Sequence, residues 1–280
     1  MIISPRHGFI FVHVPKCAGT SVRTQLIACD PTHIALAQPG THPVLGQIDY
    51  GHIPLTDLRA HFPEHFNYLC NLRSFAVMRD PLSRFGSSLR QTLWRYEQKH
   101  MTLIAPDVLR TRTLEILDEV AAEIEKPSAK FIFFARQTDF TFEEGIRRVN
   151  HLVPIEHVGA FITFIAAETG TPMDADRRSN QNVELRAKWL GPTAFAVNGF
   201  LRKRLPLDIH DRIKQTALRL LSSRKNAADE SGILKMPEVR QFVDTYYAED
   251  QKLYAQAQAE APALLQAFAD RSLQLNSPGA

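Results

Sequence analysis

The sequence predicts an α/β fold: a central, mostly parallel sheet flanked by helices, with a helix-rich C-terminal half. Two observations carry this. Phe9–Val14 (FIFVHV), Ser74–Met78 (SFAVM) and Asn150–Ile155 (NHLVPI) are short apolar runs, rich in β-branched and aromatic residues, that suit strands buried on both faces. Each run leads into a stretch of helical character, and strands alternating with helices imply a parallel sheet with helices on its faces.

The elements follow in order. Pro15 to Gly19 punctuates the first strand, and Thr20–Cys29 is predicted as a helix capped by Thr20 or Ser21, with Val22, Leu26 and Ile27 facing inward. Residues His33 to His52, rich in Pro, Gly and His, predict an irregular loop ending at Gly51-His52, and a short helix follows over Leu55–His61. After the second strand, Arg79-Asp80-Pro81 turns into a helix over Leu82–Lys99, where Leu82, Phe85, Leu89, Leu93 and Tyr96 recur at helical spacing. Leu109–Glu125 is an amphipathic helix, and Lys130–Arg136 a further helix or short strand. His157–Glu168 is helical behind the third strand. Arg177–Asn182 is a polar loop, and Asp208–Ser223 and Glu238–Ala269 are helical. No repeat or linker divides the chain, so residues 1–280 are expected to form one domain.

Composition narrows the function. The 280 residues are 44% apolar and 22% charged, with a net charge of +3, as in an ordinary globular protein. No Lys/Arg tract interleaved with aromatics suggests a nucleic-acid partner. Three cysteines, Cys17, Cys29 and Cys70, have no metal-like spacing and predict free thiols in a reducing compartment, with no metal site. Cys17, placed in a presumed ligand loop, is the one expected to be more reactive. No run approaches the roughly 20 apolar residues of a membrane span, and the N-terminus lacks a secretory pattern. A soluble, cytoplasmic protein is expected.

Two segments carry chemistry. Val14 to Ser21 (VPKCAGTS) sets a lysine, a small-residue turn and two hydroxyls at a helix entry, where unpaired backbone N–H groups can receive a phosphate. Gly19 would let the backbone approach the anion, and Lys16 brings a mobile positive charge. This is not a Walker A loop, because the lysine precedes the only glycine. In Arg79 to Ser88 (RDPLSRFGSS), an arginine at a strand end is followed by Ser87 eight residues later on the helix, and the two can cradle a second phosphate. Both segments follow strands, the side of a parallel sheet where ligands gather.

In this order the two segments resemble the cofactor signatures of sulfotransferases that use 3′-phosphoadenosine 5′-phosphosulfate (PAPS), of the types PKxAGTS and RDPxxRxxS. The likeness is to the carbohydrate and heparan branch, and it implies a P-loop-like three-layer fold. It further implies that Lys16, Ala18, Gly19, Thr20 and Ser21 hold the 5′-phosphosulfate, and that Arg79 and Ser87 hold the 3′-phosphate. Arg84 matches the second signature as well. Arg136-Gln137-Thr138, Pro154-Ile155-Glu156 and Asp244 to Tyr254 echo later parts of the branch, whereas Cys17 and Ala135 depart from it.

The implied reaction moves a sulfuryl group from PAPS to an acceptor hydroxyl on a carbohydrate or glycoconjugate, without a metal. Lys16 would stabilise the leaving diphosphate, and a histidine would take the acceptor proton. His52 is the candidate base, since Gly51-His52 resembles the pair that carries the base in heparan-type members. His42 and Glu156 are rivals, and His13 is expected to pack in its strand. Arg136, Glu156, Arg177 and Arg178 are candidates for acceptor contacts. A P-loop-like nucleotide kinase and a catalytically idle nucleotide-binding module are the alternatives. Against the kinase stand the missing Walker A spacing and the lack of an evident Mg²⁺-binding aspartate after a strand.

Overall fold

The computed structural model describes residues 1–29, 34–36, 39–176, 184–185, 222–223 and 232–276. Its centre is a five-stranded sheet. β1 (Ile2–Ser4) runs antiparallel to β2 (Phe9–Val12), while β2 runs parallel to β6 (Arg73–Met78) and β6 parallel to β9 (His151–Pro154). β3 (Ile34–Ala35) closes the far edge, antiparallel to β1. The three parallel strands are the three apolar runs of the sequence, and every residue of β2 is buried, as continuous apolar strands require. The antiparallel edge was not legible, because β1 and β3 are too short to show a pattern.

The stretch from residue 33 to 52 is not an irregular loop. Besides β3 it holds a hairpin of β4 (Pro39–His42) and β5 (Gly46–Asp49), whose turn places Gly46 at φ 69°. The hairpin is largely polar and exposed, so no alternation marked it. His42 Nδ1 accepts the Val44 and Leu45 N–H groups at 3.2 Å each, which gives this rival base a role in the turn.

α1 (Gly19–Cys29) follows β2. α2 (Leu55–His61) and α3 (Pro63–Asn71) precede β6, with Pro63 starting the second of them. α4 (Pro81–Glu97) begins where predicted, with the Asp80 carboxylate accepting the Ser83 N–H at 2.8 Å and Pro81 in the first turn. α5 spans Pro106–Ala122. Lys130–Arg136 is neither α-helix nor strand: Ile132–Phe134 form one 3₁₀ turn whose side chains are all buried, and an apolar run that short carries no decisive period. A second 3₁₀ turn, Thr138–Phe140, leads to the small hairpin of β7 (Phe142–Glu143) and β8 (Ile146–Arg147). α6 (Val158–Thr169) follows β9. The helix expected over Glu238–Ala269 is two helices, α7 (Pro237–Tyr246) and α8 (Ala248–Asn276), parted at Tyr247. Arg177–Asn182 lies outside the described residues, as does Asp208–Ser223 except for Ser222–Ser223, which pair as a strand with Glu184–Leu185.

Two apolar clusters hold these elements. Around the sheet, α6 and α8 cover β6 and β9 through Phe75, Phe161, Phe164 and Phe268, and the last two rings stack at 4.2 Å. Burial of each such ring contributes roughly 1.5–3 kcal/mol. Beside it, α4, α5 and α7 share Phe85, Leu89, Leu93, Ile116, Val239 and Tyr247. Because α4 starts at the end of β6 and is anchored in the second cluster, its polar face is held in a fixed position beside the loop after β2.

Candidate active site

The first loop turns tightly. Lys16 and Ala18 both take left-handed backbone conformations, φ 64° and 59°, with Cys17 between them wholly buried. Such a conformation costs a residue with a Cβ roughly 1–2 kcal/mol, so the surroundings must hold it. They do: the Ala18 carbonyl accepts the Ser21 N–H at 3.0 Å, and the Lys16 carbonyl accepts from Arg79 Nη1 at 3.3 Å. Cys17 Sγ donates to Gln137 Oε1 at 3.3 Å, and burial pushes the thiol up to about 12. The reactive role expected of Cys17 is therefore overturned. It is an inert anchor, whereas Cys70 is exposed.

Gly19, at the head of α1, has a reason the sequence did not show. A Cβ there would lie 1.9 Å from His13 Cδ2, so the His13 imidazole occupies the space a side chain would need. His13 is buried at the end of β2, as expected of a packing residue, and also lies beside His52 with ring centroids 4.2 Å apart.

Arg79 follows β6 directly. Its Nε and Nη2 donate to Ser83 Oγ at 3.1 and 2.9 Å. Lys16 reaches along α4, where its Nζ donates to Gln91 Oε1 at 3.2 Å. Burial, with Arg90 and Arg79 nearby, brings the Lys16 ammonium down to about 8. Arg90, which sequence reasoning passed over, is lowered to about 10 by burial and by Arg79. Among the described residues, none of these three cations pairs with a carboxylate. Ser87 lies half-buried on the same helix, with no protein hydrogen bond among the described residues.

Arg84 is different. It is fully buried, donates to the Phe133 and Ala135 carbonyls at 3.2 and 2.6 Å, lies 3.6 Å from Asp250 and packs over Tyr247. This arginine of the second signature builds the site without facing it. Gln137, also fully buried, donates to the Arg79 carbonyl and accepts the Arg79 N–H, and Asp250 accepts the N–H groups of Gln137 and Thr138. One buried network thus joins the loop after β2 and the end of β6 to the start of α8.

His52 lies after the β4–β5 hairpin. Its Nδ1 is 3.1 Å from the His13 carbonyl, which can only accept, so Nδ1 carries the proton and Nε2 keeps its lone pair. Burial lowers the imidazole to about 4, although Asp49 and the His13 carbonyl favour the charged form. The His52 ring and the Lys16 ammonium flank the same Phe133 ring, at 5.9 and 5.8 Å from its centroid. A neutral imidazole and a cation are thus both packed around one aromatic ring.

The acceptor candidates are less free. Arg136 is held by Asp139 (Nε to Oδ1 at 3.1 Å) and lies 5.7 Å from the Tyr246 ring centroid. Glu156 accepts from the Tyr254 hydroxyl at 2.9 Å. Arg177 and Arg178 lie outside the described residues.

A family model described as the sulfotransferase family matches residues 1–255. The chain belongs to the sulfotransferase family. No curated protein and no solved structure gives a match. The mixed α/β fold is consistent with that of a sulfotransferase, and the family supports sulfuryl transfer to a hydroxyl acceptor from a sulfate donor. Among the described residues, no helix is long and apolar enough to cross a membrane, and no group of His, Cys, Asp and Glu could hold a metal ion.

Proposed function

We propose that this sulfotransferase takes its sulfuryl group from PAPS and passes it to a hydroxyl of a carbohydrate or glycoconjugate, on a P-loop-like frame in which residues 1–280 act as one domain. The observation that carries the reading is the gathering of three cations: Lys16 in the loop after β2, Arg79 at the end of β6 with its Nη1 on the Lys16 carbonyl, and Arg90 in the middle of α4. No carboxylate neutralises these cations among the described residues, and mutual repulsion with burial lowers two of them. A polyanion relieves that repulsion.

When bound, PAPS supplies the sulfuryl group and leaves as 3′,5′-adenosine diphosphate. Lys16 and the turn of Ala18, Gly19, Thr20 and Ser21 hold the 5′-phosphosulfate at the head of α1, where the first N–H groups of a helix have no intrahelical partner, although that of Ser21 is already taken by the Ala18 carbonyl. Arg79 and Ser87 hold the 3′-phosphate. The Lys16 ammonium offsets the charge that develops on the leaving phosphate. His52 Nε2 takes the acceptor proton, with its ring fixed by the His13 carbonyl. Arg136 and Glu156 would contact an acceptor while engaged with Asp139 and Tyr254.

Thermal unfolding with 3′,5′-adenosine diphosphate, 5′-ADP or ATP tests the donor. Selective stabilisation by the 3′-phosphorylated ligand is expected, since a ligand that binds only the folded state raises its stability by mass action. A preference for ATP with Mg²⁺ would overturn the reading in favour of a kinase.

A further inference from the structure

α4 presents one polar face to the loop after β2. Ser83, Ser87, Arg90 and Gln91 lie along it at offsets of four, seven and eight residues, which is one side of a helix. The two ends of this face hold different cations: Ser83 takes the Arg79 guanidinium, and one turn beyond Ser87, Gln91 takes the Lys16 ammonium. Arg90 adjoins Gln91, at the Lys16 end.

Arg90 has no assignment in either signature, and among the described residues nothing pairs with its charge. Its Nη1 is buried without a hydrogen-bond partner. The guanidinium makes no hydrogen bond or ion pair among the described residues. Arg84, on the same helix, shows what a structural arginine looks like here, with two backbone carbonyls and Asp250 around it. A buried donor left open beside another cation is costly unless an anion completes it. The electrostatics tie Arg90 to both neighbouring cations: after burial, Arg90 is the largest influence that lowers Lys16, ahead of Arg79, while Arg79 is the charge that lowers Arg90 itself.

Resting on the sulfotransferase reading above, we propose that Arg90 is a third donor-binding residue that acts with Lys16 on the 5′-phosphosulfate end of the donor. Arg79 and Ser87 then serve the 3′-phosphate alone, and the length of α4 between Ser83 and Gln91 spaces the two anionic ends. The fork of Arg90 would supply that end of the donor with directed N–H groups in addition to the single ammonium of Lys16.

The test uses the full chain and three probes: 3′,5′-adenosine diphosphate, 5′-AMP and adenosine 3′-monophosphate, with affinities measured by calorimetry. Arg90→Gln is expected to weaken the first two by about tenfold or more, the scale of a charge-assisted hydrogen bond, and to leave the 3′-monophosphate unchanged. Arg79→Gln should show the reverse selectivity. Arg90→Lys, which keeps the charge without the fork, should keep part of the 5′-selective affinity and guards against a Gln variant that does not fold. Equal losses for all three probes would mark Arg90 as merely structural, and no loss, or a loss only for the 3′-monophosphate, would also overturn the proposal. If the wild-type chain binds none of the probes, the PAPS reading itself fails, which is a separate result from an Arg90 variant behaving like wild type.

Discussion

The side-chain amide of Gln137 holds both backbone polar groups of Arg79: its Oε1 accepts the Arg79 N–H at 2.9 Å, and its Nε2 donates to the Arg79 carbonyl at 2.8 Å. The same Oε1 accepts from Cys17 Sγ. One buried amide therefore fixes the spacing between the two phosphate segments.

Gln137→Leu should cost about 2–4 kcal/mol of stability, because it leaves buried Arg79 groups unpaired at roughly 1–3 kcal/mol each. Urea unfolding measures this. Gln137→Glu replaces the donor with an acceptor facing the Arg79 carbonyl and should be at least as harmful. A loss under 1 kcal/mol for both variants would show that Gln137 is not the clamp.

Gly19 and His13 should be coupled. Gly19→Ala forces its new Cβ into the His13 ring and should cost about 1–3 kcal/mol, the usual range for overpacking. In the His13→Ala background the ring is gone, so the same substitution should cost much less. A double-mutant cycle with no interaction energy would contradict the packing.

Lys16 should set an alkaline limb. Its ammonium form is the one that offsets the leaving charge, and it is held at about 8 in the free enzyme, so kcat/KM should fall as pH rises through that value. Lys16→Arg should shift the limb upward, because arginine stays charged. Lys16→Met should lose turnover yet stabilise the unliganded protein by on the order of 1 kcal/mol after screening, since a charge disfavoured by folding is removed. That gain should shrink above pH 8, where the folded form sheds the proton anyway.

His52 should set the acid limb lower than an ordinary histidine would. Held at about 4, it stays neutral and able to accept a proton well below pH 6.5. His52→Ala should lower kcat by about 10²–10⁴, and near-normal turnover would remove it as base. The linkage has a definite sign. The unfolded chain binds the proton near 6.5 and the folded one only near 4, so stability falls as pH drops through that window. His52→Leu should flatten that part of the stability profile.

How much was legible follows from range. The three central strands and the strand-to-helix turns before α1 and α4 were readable because apolar runs, Pro and Gly act within a few residues. Thr20 and Ser21, however, lie inside α1, which begins at Gly19, rather than capping it. The β4–β5 hairpin was missed because exposed polar strands show no alternation, and the parting of α7 from α8 was missed because the helical character continues through it. Lys16, Arg79 and Ser87 stood out because their two segments, in that order, resemble the sulfotransferase signatures. Arg90 did not, since one arginine on an amphipathic helix is ordinary until the face it occupies is known.

By itself, the sequence determined the two segments that resemble the family's signatures, their place after strands and the cations they carry, because those depend on order and short spacing. Tertiary structure alone decided which of the matching residues are buried as framework and which keep open polar groups. Burial turned Arg84 and Cys17 inward as anchors. The fold also brought Gln137 from 58 residues away onto Arg79, set His13 against both Gly19 and His52, and left Arg90 with an open donor beside Lys16. Desolvation and charge proximity are properties of three-dimensional neighbours, and no local pattern encodes them.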